Sequence, residues 1–187
     1  MTLGARLLGV KMVFAHDTEV ALVQVAALVN TPLADIAALD AFLLEHQDSG
    51  VRTGTRAELD SVRALRPRFR RFWELGEDDL VETVNALLVE CRPLPQLVRH
   101  DNWGYHLHAV PRDAPLAVRM TVEAAMALVD VVRSGALDRL RGCAYPDCDN
   151  VLVDLSKNRS KRFCDAGCGN RSAVNAYRAR RAAAGGS

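Results

Sequence analysis

Four cysteines, Cys143, Cys148, Cys164 and Cys168, constrain the end of this chain more than any other feature. They read as Cys-x4-Cys, 15 intervening residues, then Cys-x3-Cys. Two close thiol pairs on a short connector suit one tetrahedral zinc ion, each pair giving two ligands at about 2.3 Å. A pair of disulfides is the competing arrangement. Five cysteines is an odd number, and Lys11 interrupts the apolar Leu7, Leu8 and Val10, so neither a disulfide framework nor a secretory signal is expected. Four thiolates close the coordination sphere, whereas a catalytic zinc keeps a position open for water; the expected ion is structural. A tail this short and this poor in apolar side chains cannot bury enough surface to fold unaided, and metal binding supplies the difference. The connector reads as a hairpin in which Val151, Val153 and Leu155 alternate, residues 156–159 turn, and Arg162 and Phe163 return.

Charge is distributed unevenly around this centre. Residues 141–187 carry nine basic and four acidic side chains, formally +5, while the preceding 140 carry −4, so the total of +1 hides a polarised molecule. Lys157, Arg159, Lys161 and Arg162 cluster at the expected hairpin tip. After Cys168, residues 172–181 predict a helix on which Arg171, Asn175 and Arg178 share a face. Val174 and Tyr177 lie toward another side, which could pack on the hairpin. Basic side chains suit phosphate contacts, and an Arg/Asn face can read base edges in a major groove. The plainer alternative is a solvated helix that keeps a small module soluble. RNA binding is less well served, because Tyr145, Phe163 and Tyr177 are the only aromatic residues there for base stacking.

The larger, preceding part reads as helical. A chain of 187 residues, 49% hydrophobic and 25% charged, can bury one sizeable core and append a module. No apolar run approaches the roughly 20 residues of a membrane span, so the expected location is cytoplasmic. Residues 19–29 are apolar nearly all round, as for a central helix. Thr31 and Pro32 predict the N-cap and first position of the next helix. Thr55-x-x-Glu58 is a capping box opening a helix to residue 75, with Leu59, Val62, Phe69 and Trp73 on one stripe. Gly76 ends it, and Glu77, Asp78 and Asp79 open a fourth helix that Pro93 and Pro95 close. Residues 96–110 predict a hairpin turning near Asp101 and Asn102, and residues 115–132 a long helix. The fold class is mainly α (α+β): a helical N-terminal domain with a small β-hairpin, followed by a treble-clef-like zinc finger of knuckle, hairpin and helix.

Other candidate sites are less pointed. His106 and His108 alternate on a predicted strand and face one side, where a metal could bridge them with His100 or Asp101 nearby; a polar strand face is the simpler account. Asn30, Thr31 and Asn85 could line a small-ligand cleft among helix ends, or Asn30 and Thr31 could simply cap them. Trp73 and Trp103 could line that pocket, although core packing is the commoner role. Cys91, beside Val84, Leu87 and Leu88, reads as a small core residue. No nucleophile, base and orienting group stand together, so no enzyme is expected.

The segments Cys143-Ala-Tyr-Pro-Asp-Cys148, Asp154-Leu-Ser-Lys-Asn-Arg159, Arg162-Phe-Cys164 and Cys168-Gly-Asn-Arg171 resemble the CGNR zinc finger. Upstream, Ala27-Leu-Val-Asn-Thr31, Leu65-Arg66 and Asn85-Ala-Leu-Leu88 resemble motifs of the ABATE domain that precedes this finger in bacterial proteins described as stress-induced transcriptional regulators. The resemblance implies an ABATE-like domain over 1–138, for ligand sensing or dimerisation, and a DNA-binding finger over 139–187. One structural Zn2+, a DNA partner and a small-molecule effector follow from it. The chain has no heptad seam, so a homodimer would pair through the front domain. The alternative keeps the finger as a structural or protein-binding module beside a ligand-binding or enzymatic helical domain.

Overall fold

The computed structural model describes residues 13–48, 50–99 and 104–184. The first 12 residues, the expected turn at Asp101 and Asn102, and His100 and Trp103 lie outside the described residues, as does the tail from 185. Helix α1 (His16–Asn30) runs through the centre, with Leu22, Val25, Leu28 and Val29 buried. It ends where expected. Thr31, however, is its C-cap and not the N-cap of the next helix: its hydroxyl donates to the Ala27 carbonyl at 2.8 Å. A residue before proline is pushed to extended backbone, and Thr31 has φ −96 and ψ 118. Helix α2 (Ile36–Glu45) starts later, because Asp35 accepts from the Ala38 N–H at 2.8 Å and is the working cap.

Helix α3 (Arg56–Arg70) is capped by Thr55, whose hydroxyl accepts from the Glu58 N–H at 3.2 Å. Glu58 reaches back past the cap, accepting from the N–H groups of Thr53 and Gly54 at 3.0 Å each. Leu59, Val62 and Phe69 form the predicted buried stripe. The helix tightens into a 3-10 turn over Arg71–Trp73, which puts Phe72 in the core and leaves Trp73 half-buried. Arg66 of α3 donates to the carbonyls of Leu28 (3.2 Å) and Val29 (3.1 Å), satisfying the open end of α1. Helix α4 (Glu77–Cys91) opens on three acidic residues and ends at Arg92 in the left-handed region, with Cys91 half-buried. Helix α5 (Leu116–Arg133) packs against α1, α3 and α4 and completes the core.

Strands β1 (Gln96–Val98) and β2 (His106–His108) pair antiparallel as expected, Leu97 opposite Leu107. The finger hairpin differs from expectation. Strand β4 (Val151–Val153) pairs with β3 (Leu140–Gly142), not with Arg162 and Phe163. The cause is local. The Asp154 carboxylate accepts from the N–H groups of Ser156 (2.9 Å) and Lys161 (3.0 Å), so the chain after β4 curls into a turn. Alternation also fails in β4: Val151, Leu152 and Val153 are all buried, because the strand is covered by α1 as well as paired to β3. Helix α6 (Cys168–Ala184) closes the finger. Val174 and Tyr177, on the side that could have packed on the hairpin, are 46% and 54% exposed.

Candidate metal centre and finger helix

The β3–β4 hairpin places the first cysteine pair in its loop. Cys143 leaves β3 with its N–H donating to the Asn150 carbonyl at 2.8 Å, and Asp147 turns the chain through φ 59 before Cys148. The Ala144 N–H donates to the Arg162 carbonyl at 2.8 Å, drawing the segment before Cys164 alongside. Gly167, at φ +76, then lets the chain turn so that Cys168 opens α6. The four sulfurs converge within 4.8 Å of one another. Cys148 and Cys164 are 3.8 Å apart, and Cys168 lies 3.5 Å from each.

These separations test the fit of a metal. Four sulfurs at about 2.3 Å from a tetrahedral zinc sit about 3.8 Å from each other. The spacings among Cys148, Cys164 and Cys168 lie close to that edge, Cys143 completes the set within 4.8 Å, and an all-sulfur set suits zinc. Groups around the sulfurs favour thiolates. Asn150 Nδ2 donates to Cys164 Sγ and the Cys164 N–H to Cys143 Sγ, both at 3.4 Å. Arg171 Nη2 donates to Cys168 Sγ at 2.8 Å, with its guanidinium 4.9 Å from the centre of the Tyr145 ring. Cys168 also sits at the positive end of α6. Among the thiols without an ion, desolvation outweighs Arg171 and pushes Cys168 up to about 12. Cys164 comes down to about 7 despite desolvation, through donation from the Ala166 N–H, Asn150 and neighbouring thiols. A divalent cation among them brings the set to thiolate.

Residues 139–181 match the family model of the CGNR zinc finger. Residues 24–135 match ABATE, described as "Putative stress-induced transcription regulator". The chain belongs to the ABATE family. No curated protein matches it. The CGNR finger holds one structural zinc ion, and the four-cysteine cluster is where its donors meet.

In this ABATE–CGNR chain the finger is locked to the front domain at β4. Cys143 donating to the Asn150 carbonyl makes Gly142 and Val151 a non-hydrogen-bonded pair, so the Val151 N–H and C=O point away from β3. Asn30 meets both: Nδ2 donates to the Val151 carbonyl at 2.8 Å, and Oδ1 accepts the Val151 N–H at 2.9 Å. The carboxamide thus stands in for a neighbouring strand. Trp73 Nε1 donates to the next carbonyl, that of Leu152, at 2.9 Å. Below them Asp154 is fully buried, bonded to Ser156 and Lys161 and ion-paired with Arg141 at 3.1 Å. Those donors hold its carboxyl below the usual range against the opposing effect of desolvation. Arg139 Nη1 ties the same turn through the carbonyls of Asp154 (2.6 Å) and Ser156 (3.0 Å).

The seven basic and amide candidates of the finger fall into different settings. Arg171 is held on the Cys168 sulfur, and Asn175 Nδ2 donates to the Tyr145 hydroxyl at 3.3 Å. Arg159 pairs with Asp138 at 2.6 Å and Lys161 with Asp165 at 3.0 Å. Arg162 lies over Phe163, 5.8 Å from the ring centre. Lys157 and Arg178 are exposed, as are Arg180 and Arg181 further along α6. Of the cleft candidates, Asn30 and Thr31 are engaged within the fold as described. Asn85 lines a cavity of about 1530 Å³ bounded by α1, α4, α5 and β2. In the sequence Asp154 stands only as the first residue of the 154–159 motif, with no role of its own; nothing local marks Asn150 or Trp73 as tying the finger together.

Proposed function

We propose that this protein is a cytoplasmic DNA-binding transcriptional regulator, with an ABATE-like regulatory domain over 1–138 and a DNA-reading finger over 139–187. The observation that carries the reading is α6. This helix starts on a zinc-site cysteine, stands clear of the core and exposes Asn175, Arg178, Arg180 and Arg181. A helix anchored at one end and exposed along its length suits insertion into a major groove. Arg171 and Arg178 are two helical turns apart, about 10 Å along the axis, with Asn175 between them. Lys157, Arg159, Lys161 and Arg162 flank the helix as phosphate contacts. Membership of a regulator family supports this, and among the described residues no helix is long and apolar enough to cross a membrane.

The front domain's cavity supports a second element of the same proposal. A volume of about 1530 Å³, lined by Asn85, Leu88, Val122 and Met126 among others, can admit a small-molecule effector. Helix α1 lines that cavity with its first turns and ends on the Asn30 clamp at β4, so an effector there would act on the finger through one rigid helix. Subunit pairing through the front domain would double the DNA contacts of one small finger.

Selection of bound oligonucleotides from a random pool tests the proposal. Asn175→Ala or Arg178→Ala should cost about 1–3 kcal/mol and relax preference at particular positions. Lys161→Ala or Arg162→Ala should weaken binding to every sequence and lower the salt slope by about one unit each. Arg171→Ala should instead loosen the zinc site. If the wild type enriches no sequence and all five substitutions act alike, specific readout by α6 is wrong.

A further inference from the structure

A pair of histidines outside the finger has geometry that neither the zinc centre nor DNA binding uses. His106 and His108 occupy alternate positions of β2 and so project from one face. Their Nε2 atoms are 3.0 Å apart, with ring centroids at 4.9 Å. His106 is buried and its Nδ1 lies 2.9 Å from the Gly104 carbonyl, an acceptor that requires the proton on Nδ1. The His106 Nε2 lone pair is therefore turned toward His108. Strand β2 is steadied from α1, because Asp17 Oδ2 accepts the Leu107 N–H at 3.1 Å. Both histidines line the front-domain cavity.

We propose that His106 Nε2 and His108 Nε2 form a second metal site, open on its cavity side, for a divalent first-row transition ion. Two nitrogens 3.0 Å apart, each bonded at about 2.0–2.1 Å, subtend close to 90° at the ion. That is the cis angle of an octahedral or tetragonal sphere, the preference of Ni2+, Co2+ and Cu2+; a tetrahedral ion needs nitrogens about 3.4 Å apart. The Gly104 carbonyl acts as the outer partner that orients a metal-bound imidazole. In the metal-free pair, one proton is shared across the Nε2–Nε2 contact. The ion takes the place of that proton, which leaves the Nε2–Nε2 contact. Beyond these two ligands among the described residues, the cavity side offers positions to water or to a donor atom of a molecule in the cavity.

The test uses untagged, full-length protein with zinc already in the finger, titrated with Ni2+ by calorimetry and with Co2+ by absorbance. One additional Ni2+ per chain is expected with zinc content unchanged, and Co2+ should give the weak bands of a nitrogen/oxygen sphere. His108→Ala and His106→Ala should each weaken this equivalent by at least about tenfold. His46→Ala, a histidine lining the same cavity, should leave it intact. His108 is half-buried, so His108→Ala carries the test where His106→Ala fails to fold. The proposal is overturned if wild type takes up no further ion, if the ion binds His108→Ala as tightly as wild type, or if thiolate charge-transfer bands show that the metal has entered the cysteines.

Discussion

Replacing Asn30 by Ala removes a side chain that serves both polar groups of one residue 121 positions away. The two bonds, at 2.8 and 2.9 Å, are partly buried, and Val151 itself is 2% exposed. Without the carboxamide, the Val151 N–H and C=O face the core with no strand beyond them. A buried polar group left unmet costs about 1–3 kcal/mol, so the pair should cost about 2–4 kcal/mol after some water entry. Loss of a helix cap alone would cost about 1 kcal/mol. Asn30→Asp should be at least as damaging: it keeps an acceptor for the N–H but sets a second oxygen against the Val151 carbonyl. The effect should reach the metal, because Asn150, next along the chain, accepts from the Cys143 N–H and donates to Cys164 Sγ. Urea unfolding of the zinc-loaded protein gives the stability, and zinc transfer to a colorimetric chelator gives the release rate. A loss below about 0.5 kcal/mol with unchanged release would refute the clamp. A loss of about 1 kcal/mol with unchanged release would reduce Asn30 to a cap.

Trp73→Phe deletes the bond to the Leu152 carbonyl and should cost about 0.5–1.5 kcal/mol; combined with Asn30→Ala the two should not add, since both act on one short strand. Metal analysis of the wild type should give about one zinc per chain, and Cys164→Ser or Cys168→Ser should abolish it. The helical circular dichroism should survive, at a lower melting temperature, because Val151 and Val153 belong to the front domain's core. Asp154 has a lowered folded pKa, so its contribution is present above the unfolded carboxyl value near 4 and is lost as pH falls through the folded one. Asp154→Asn should therefore destabilise at pH 7 and flatten the acid unfolding profile below about pH 4. Glu123 lines the open cavity and is itself exposed to it, and there desolvation by the surrounding walls and nearby Asp48 raise its carboxyl to about 7 against the pull of Arg119. A raised carboxyl opposes folding once pH exceeds its unfolded value. Glu123→Gln should raise the melting temperature at pH 8 and leave it unchanged at pH 4.

The zinc centre was legible from sequence because ligand identity and spacing are local: the pairs Cys143/Cys148 and Cys164/Cys168 can meet on one ion whatever surrounds them. The central helix, the Thr55 cap and the acidic opening of α4 were legible for the same reason, since the 3.6-residue period and capping act within a few positions. The partner of β4 was not. Residues 151–155 are apolar enough to suit either neighbour, and only the Asp154 turn and the covering α1 decide for β3. Asn30 stood out in the sequence as a polar residue ending an apolar helix, which fits a cap, a ligand site or a clamp equally well. Its role depends on the edge of a strand 121 residues away, and no local pattern encodes which backbone groups that edge leaves open. Val174 and Tyr177 show the converse: helical spacing offered them a packing face, but both stay about half exposed. Sequence alone pointed to the metal, to four cysteines that could hold it, and to the helices apart from the start of α2 and the end of α3. Tertiary structure decided what the finger rests on, because burial and hydrogen-bond satisfaction depend on every element that comes near.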